Sequence, residues 1–334
     1  MSEPLVVGVD LGGSHVAAGV VNRAGTILGR SDQFIDRDKA AEMLLSEDIA
    51  KAIRDAIKWA NLEPKDIVGV GMGLPGNIDR ATGICRFSPN FHWHNVPVSG
   101  PLSRALGLPV YLLNDVRSHT LGELHFGAGR GVRSFAMLAL GTGIGGGLVL
   151  NGKLHEGAHS GGGEVGHITV EPGGYQCQCG NHGCIEALAS APNIARLARE
   201  EIAAGRAQGI KALAGSAEAV TAQTLSEAAL KGDAEALALW ERIGHWLGIA
   251  VASIITTVDP ERVLIGGGVA RAGELLLRPV REEVVRRCRM IDVSQIPIQQ
   301  AALGENAGML GAAALALESL GHLPSSLNTP EVPA

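Results

Sequence analysis

Residues 5–15, Leu5-Val6-Val7-Gly8-Val9-Asp10-Leu11-Gly12-Gly13-Ser14-His15, decide the fold. A short β-branched run climbs to an acid, breaks on two glycines and a serine, and starts a second apolar run, His15 to Val21. Two such runs joined by a glycine tip predict a strand hairpin. Asn22-Arg23-Ala24-Gly25 reads as the next turn, and Thr26 to Arg30 as a third strand. The second half repeats this grammar. Phe135 to Leu140 predicts a strand that meets the glycine-rich run 141–147, and Leu148 to Leu150 leads out of it.

Between and after these hairpins the pattern alternates. Ala40 to Trp59 places Ile49, Ile53, Ala56 and Ile57 on one helical face. Ile67 to Gly73 predicts a buried strand ending in Leu74-Pro75-Gly76, and Val110 to Leu113 another ending in Asn114-Asp115. Ile243 to Val258 predicts a buried helix stopped by Asp259-Pro260, and Val263 to Ile265 a strand running into Gly266-Gly267-Gly268. The expected architecture is α/β, with two related lobes around a cleft. Residues 1–117 form the smaller lobe, completed by a C-terminal helix at about 305–322, and 118–304 the larger. The tail 323–334, rich in proline and small polar residues, is expected to fray.

The chain has 334 residues, 46% hydrophobic and 19% charged, enough to bury two cores. A formal net charge of −6 without a long basic run argues against a nucleic-acid surface. The locally basic 281–289 segment reads as the solvated face of a helix. Trp246 to Val258, the longest apolar stretch, is too short to span a bilayer. No secretory signal pattern precedes Leu5, so a soluble, cytoplasmic protein is expected. Glycine, at 46 residues, is about twice as frequent as usual, which suggests loops closing on a ligand.

Three groups of residues carry chemistry. His167, Cys177, Cys179 and Cys184 offer one imidazole and three thiolates, the tetrahedral set of a structural Zn²⁺, with the loop spanning 167–184. Asp10 followed by Gly12, Gly13 and Ser14, and the second loop with Gly141, Thr142 and Gly143, let backbone N–H groups approach phosphates. Neither has the P-loop or dinucleotide-binding spacing. Asp10 can hold Mg²⁺ directly or through water. The third cluster, Gly266, Gly267 and Gly268, suits either close approach to adenine or ribose or tight strand–helix packing. Asp115 stands just past a strand end, where open α/β sheets place ligand-binding residues. Glu164 and Glu186 flank the zinc loop, and acids of this kind accept hydrogen bonds from a polyhydroxylated ligand. His92, His94, His119, His125, His155 and His159 read as surface or packing residues.

Taken together, these motifs resemble the ROK family of repressors and kinases, within the actin-like ATPase superfamily. The likeness runs over nearly the whole chain. It rests on 10–14, 73–76, Asn114-Asp115 with Leu121-Gly122-Glu123, 140–147, Glu164-Val165-Gly166-His167, the cysteine loop with Glu186, 265–269 and 307–311. The resemblance implies that Asp115 is the general base in phosphoryl transfer from ATP to a sugar hydroxyl. It implies that Gly76, Asn90, Asn114, Glu164, His167 and Glu186 hold the sugar. His167 would then give one ring nitrogen to zinc and the other to a sugar hydroxyl. The glycine loops would hold phosphates, with 266–268 near the adenosine. The segment Ser88-Pro89-Asn90-Phe91-His92-Trp93 resembles the glucokinase branch, so glucose leads; N-acetylhexosamine and other hexose kinases share much of the set. A homodimer is the expected assembly. The family's repressors carry an added DNA-binding domain ahead of the first strand, and Leu5 is expected to leave no room for one. Three departures stand out: Ser14 for threonine, His15 for lysine, and Val116-Arg117-Ser118-His119 for a run of small residues.

Overall fold

The computed structural model describes residues 3–326. They group into two units, the first made of 3–133, 148–162 and 302–326, the second of 134–147 and 163–301. The first unit thus runs past the expected 117. Its extension follows from the helix Asp115–Phe126, which packs along the C-terminal helix Ala307–Ser319 of the same unit.

The first unit holds a five-stranded sheet in the order β3-β2-β1-β4-β8. Its strands are β1 (Leu5–Leu11), β2 (His15–Asn22), β3 (Ile27–Phe34), β4 (Ile67–Leu74) and β8 (Val110–Asn114). The predicted hairpin is present, with Asp10 opposite Ala17 and Leu11 opposite Val16. β4 runs parallel to both β1 and β8. A separate three-stranded antiparallel sheet joins β5 (Asn77–Asp79), β6 (Ile84–Ser88) and β7 (Trp93–Pro97). The 40–59 region is helical from Ala41, with a π-helical stretch, Leu44–Ile49, ahead of the α-helix Ala50–Trp59.

Strand alternation sorts β1 into two faces. Val7, Val9 and Leu11 enter a core with Leu44, Ile49 and Ile53. On the opposite face, Val6 packs with Leu310, Ala313 and Leu317 of the C-terminal helix. Gly8 and Asp10 share that face. A Cβ on Gly8 would fall 2.0 Å from Met309 O, and one on Gly71 of β4 would fall 1.7 Å from Ala312 O. The helix therefore rests on bare backbone. The glycine excess, read as ligand loops, is in these positions a packing device.

The helix pair is close for the same reason. A Cβ on Gly311 would lie 1.6 Å from Ser118 O, and one on Gly122 would lie 2.5 Å from Ala307 O. Residues 118 and 122, and 307 and 311, are each four apart and so share one helical face.

The expected fraying of the tail is corrected at 323–326. Ser326 is buried; its N–H and hydroxyl donate to Glu318, and its carbonyl accepts from Leu154 N at 2.8 Å. A buried carboxylate needs such donors, which fixes this stretch of chain. The rest of that segment, 327–334, lies outside the described residues.

In the second unit, β12 (Arg262–Gly266) lies parallel to both β9 (Phe135–Leu140) and β13 (Ile298–Gln300). β10 (Ile144–Leu150) follows β9 after the glycine turn and neighbours it in the sheet; its residues 148–150, and β11 (Lys153–Leu154) paired with them, belong to the first unit. The buried helix begins nine residues before the expected Ile243, as Ala234–Val258, because Asp233 caps its start through Ala236 N. It packs on the helix Glu274–Arg287 through Gly244 and Gly248, which lie against Pro279 and Glu283. The basic segment lies partly on this second helix, where Arg286 and Arg287 pair with the buried Glu283. No helix among the described residues is long and apolar enough to cross a membrane.

Candidate functional site

In the first unit the site residues gather at the ends of β1, β4 and β8. Asn114 caps the helix that Asp115 starts: its Oδ1 accepts from Arg117 N at 3.2 Å, and its Nδ2 donates to Gly76 O at 3.2 Å. An amide carries two N–H groups and two lone pairs, so one of each is left for a ligand. Gly76 stands at φ 127°, and a Cβ there would strike Phe87 O at 2.2 Å. No other residue fits that turn. Asn90, exposed after β6, brings its Nδ2 to 3.4 Å from where a Cβ on Gly13 would stand. Asn114 is thus joined to Gly76, and Asn90 to the 12–14 turn, by segments far apart in sequence.

Within that turn Gly12 N–H donates to His15 O at 2.8 Å, so this amide is engaged by the hairpin itself. The Ser14 hydroxyl lies 2.8 Å from His15 Nδ1, and the His15 ring packs on Phe34 at 4.1 Å. His15 is therefore flanked by Ser14 in the turn and Phe34 at the end of β3.

Burial raises the pKa of Asp115 and Asp10 adds to the rise, while His119 and the Val116 N–H oppose it. A carboxyl moved up from the usual range is a stronger base once it ionises. His119, expected to be a surface or packing residue, lies beside Asp10. It stands four residues after Asp115, on the same helical face, with Nε2 3.5 Å from Asp10 Oδ2. Burial alone would lower its pKa, but its contact with Asp10 and the charges of Asp10, Asp115 and Glu123 raise it overall. The i, i+4 spacing from Asp115 was the available signal. Arg117, also within the departing run, is buried and donates through Nη2 to Ser160 O at 2.6 Å and Gly162 O at 3.2 Å. Glu123, fully buried, accepts from Ala128 N, Ala302 N and Leu303 N, fastening the end of the same helix. Nothing in the sequence marked Arg117 or Glu123 for these backbone contacts.

In the second unit Gly141 N–H closes the turn on Gly143 O at 2.8 Å, with Thr142 exposed at its tip. Gly267, at φ 83°, would put a Cβ 2.3 Å from Leu140 O. The 266–268 cluster is thereby tight packing at Gly267, while Gly268 faces open space. Both glycine turns lie at the ends of the parallel pair β9 and β12.

The four zinc candidates also come together. Their donor atoms all lie within 4.8 Å of one another. Cys177 Sγ is 3.7 Å from His167 Nδ1, and Cys179 Sγ is 3.8 Å from Cys184 Sγ. Bond lengths of tetrahedral Zn²⁺ give ligand–ligand edges of about 3.6–3.8 Å, so the donor set fits. Burial pushes the Cys177 thiol up to about 12, and a thiol so placed ionises readily only beside a cation. His167 turns Nδ1 toward the sulfurs, which leaves Nε2 for another partner. Glu186, at the start of the helix Glu186–Ala189, links the cysteine loop to the glycine turn. Its Oε2 accepts from Ile144 N at 2.8 Å, and its Oε1 lies 3.7 Å from Cys177 Sγ. Glu164, just ahead of His167, is exposed.

The sequence profile of the ROK family matches residues 6–319. The chain belongs to the ROK family. It is 43% identical over 319 residues to the glucokinase of Thermotoga maritima, covering 95% of this chain and 98% of the relative. A second glucokinase, from Halalkalibacterium halodurans, is 35% identical, covering 93% and 94%. Among solved structures, a ROK glucokinase from Streptomyces griseus in complex with glucose and AMPPNP superposes with a TM-score of 0.82. That match has 33% identity and covers 94% of this chain and 99% of its counterpart. The fold is accordingly the actin-like ATPase fold of the ROK kinases, as the resemblance of the motifs to that family implied.

Proposed function

We propose that this ROK protein transfers the terminal phosphoryl group of ATP to the 6-hydroxyl of glucose, giving glucose 6-phosphate and ADP, in the cytoplasm. The observation that carries this reading is Asp115, a desolvated carboxyl at the strand end, with Asp10 and the glycine turn of β1–β2 beside it. In phosphoryl transfer the protein mainly positions the reactants and balances charge. Asp115 takes the proton of the attacking hydroxyl. Gly13, Ser14 and the 141–143 turn present amides and hydroxyls to phosphate oxygens, and Gly268 leaves room for the adenosine. Asp10 holds Mg²⁺, which when bound neutralises phosphate charge.

Gly76, Asn90 and Asn114 take hydroxyls of the sugar, as do Glu164, the outward Nε2 of His167, and Glu186. Zn²⁺, held by His167, Cys177, Cys179 and Cys184, fixes the loop that carries these last three groups. With four protein ligands it has no open position for a substrate. A homodimer is the assembly we assign, to be checked by light scattering.

The deciding experiment couples ADP release to Mg²⁺ and ATP across a panel of hexoses and acetamido-hexoses. Preference for glucose is the expected result. Preference for an acetamido sugar would keep the chemistry and replace the substrate. Silence on every sugar, with zinc bound, would sink the kinase reading.

A further inference from the structure

We propose that His119 is a positioning residue for the nucleotide–metal half of the site: its Nε2, 3.5 Å from Asp10 Oδ2, holds the Asp10 carboxylate so that Oδ1 is left to the magnesium of MgATP. The inference rests on the kinase reading above, and it concerns a residue that departs from the small-residue run expected there.

Four observations converge on it. Alternation along β1 turns Asp10 to the face covered by the C-terminal helix, and helical spacing turns His119 to the face that carries Asp115. The two side chains are only 23% and 28% exposed, so the contact is not an open surface pair. Gly308 closes the box. A Cβ there would lie 2.2 Å from Asp10 Oδ2 and 2.7 Å from His119 Nε2, so the helix backbone limits where either group can turn. Finally, the charges facing His119 are Asp10 on β1 with Asp115 and Glu123 on its own helix, while Arg30 on β3 acts on Asp10. An imidazole beside a carboxylate keeps its proton on the nitrogen that faces it. Nε2 therefore carries a proton toward Asp10 whether the ring is neutral or charged, and the role does not depend on titration.

A residue that merely filled space would not distinguish one oxygen of Asp10 from the other. One that orients the carboxylate matters when the metal is present and little when it is absent. Outer partners of metal ligands are commonly worth about 10–100-fold in metal affinity.

The test is calorimetric binding of ATP with and without Mg²⁺, and of glucose, to the full chain and its variants. His119→Ala is expected to weaken MgATP binding by about tenfold. Metal-free ATP and glucose should still bind within about twofold of the parent. His119→Gln, which keeps an N–H near the position of Nε2, should restore most of the loss. His119→Leu, which keeps bulk without a donor, should not. The Gln and Leu pair decides the matter even where the alanine void unfolds the protein. Wild-type MgATP affinity in His119→Leu would overturn the inference, as would equal losses for ATP, MgATP and glucose in both Gln and Leu variants. A parent protein silent on every hexose, yet showing this metal-dependent pattern, would refute the kinase reading and leave the inference standing.

Discussion

The corner around Asp115 and the cysteine loop around His167 are built in opposite ways. The cysteine loop draws its four donors from 18 consecutive residues, 167–184, and its hydrogen bonds are nearly all local. The Asp115 corner draws on β1, β4, β8 and two helices, with Gly308 placed almost 300 residues after Asp10, the acid it confines. One is gathered within a single loop around four candidate metal donors, the other by the close approach of helix backbone to sheet backbone. The first should respond to chelation, the second to a single methyl group.

The largest effect expected separates the reacting carboxyl from everything that holds it. Asp115→Asn should lower turnover by about 10²–10⁴-fold, while glucose binding measured by calorimetry persists. Near-normal turnover would remove Asp115 as the base. Its pH dependence carries a sign. Burial raises the carboxyl's pKa, and a base is disabled by protonation, so kcat/KM should fall on acidification already above the ordinary carboxylate range. Activity should recover as pH rises through that value. A profile limited only near pH 4 would count against a desolvated base.

Next comes the metal. Cys179→Ser, or exhaustive chelation, is expected to weaken glucose binding by about 10–100-fold, since Glu186 leans on Cys177 and His167 carries a second nitrogen. Unchanged sugar affinity in protein shown to be metal-free would dissociate the loop from the sugar. For the contrasting corner, Gly311→Ala should cost at least about 1–3 kcal/mol in urea denaturation, because its Cβ would meet the Ser118 carbonyl. A neutral result would mean that the helix pair has slack.

The smallest effect tests how local the cysteine loop is. Tyr175 donates to Glu200 at 2.7 Å and lies under Arg196, but it is 41% exposed. Tyr175→Phe should cost less than about 1 kcal/mol and leave sugar affinity unchanged. A larger loss would show that this clasp, rather than the metal, orders the loop.

Much of this protein was legible in its sequence, for a physical reason. Alternation and glycine tips are short-range signals, so the first hairpin, β9 with its turn, β12 and the helix over 41–59 all stood where local chemistry put them. The cluster of His167, Cys177, Cys179 and Cys184 was legible too, since donors gathered by a single loop write their spacing into the chain. Tertiary structure alone decided which glycines admit a helix rather than a ligand, because that depends on what backbone arrives from elsewhere. It placed Ser326 in a buried network with Glu318, where composition suggested a loose end. It also turned His119 onto Asp10, since a contact between strand and helix 109 positions apart is set by packing and leaves no periodic trace in either segment.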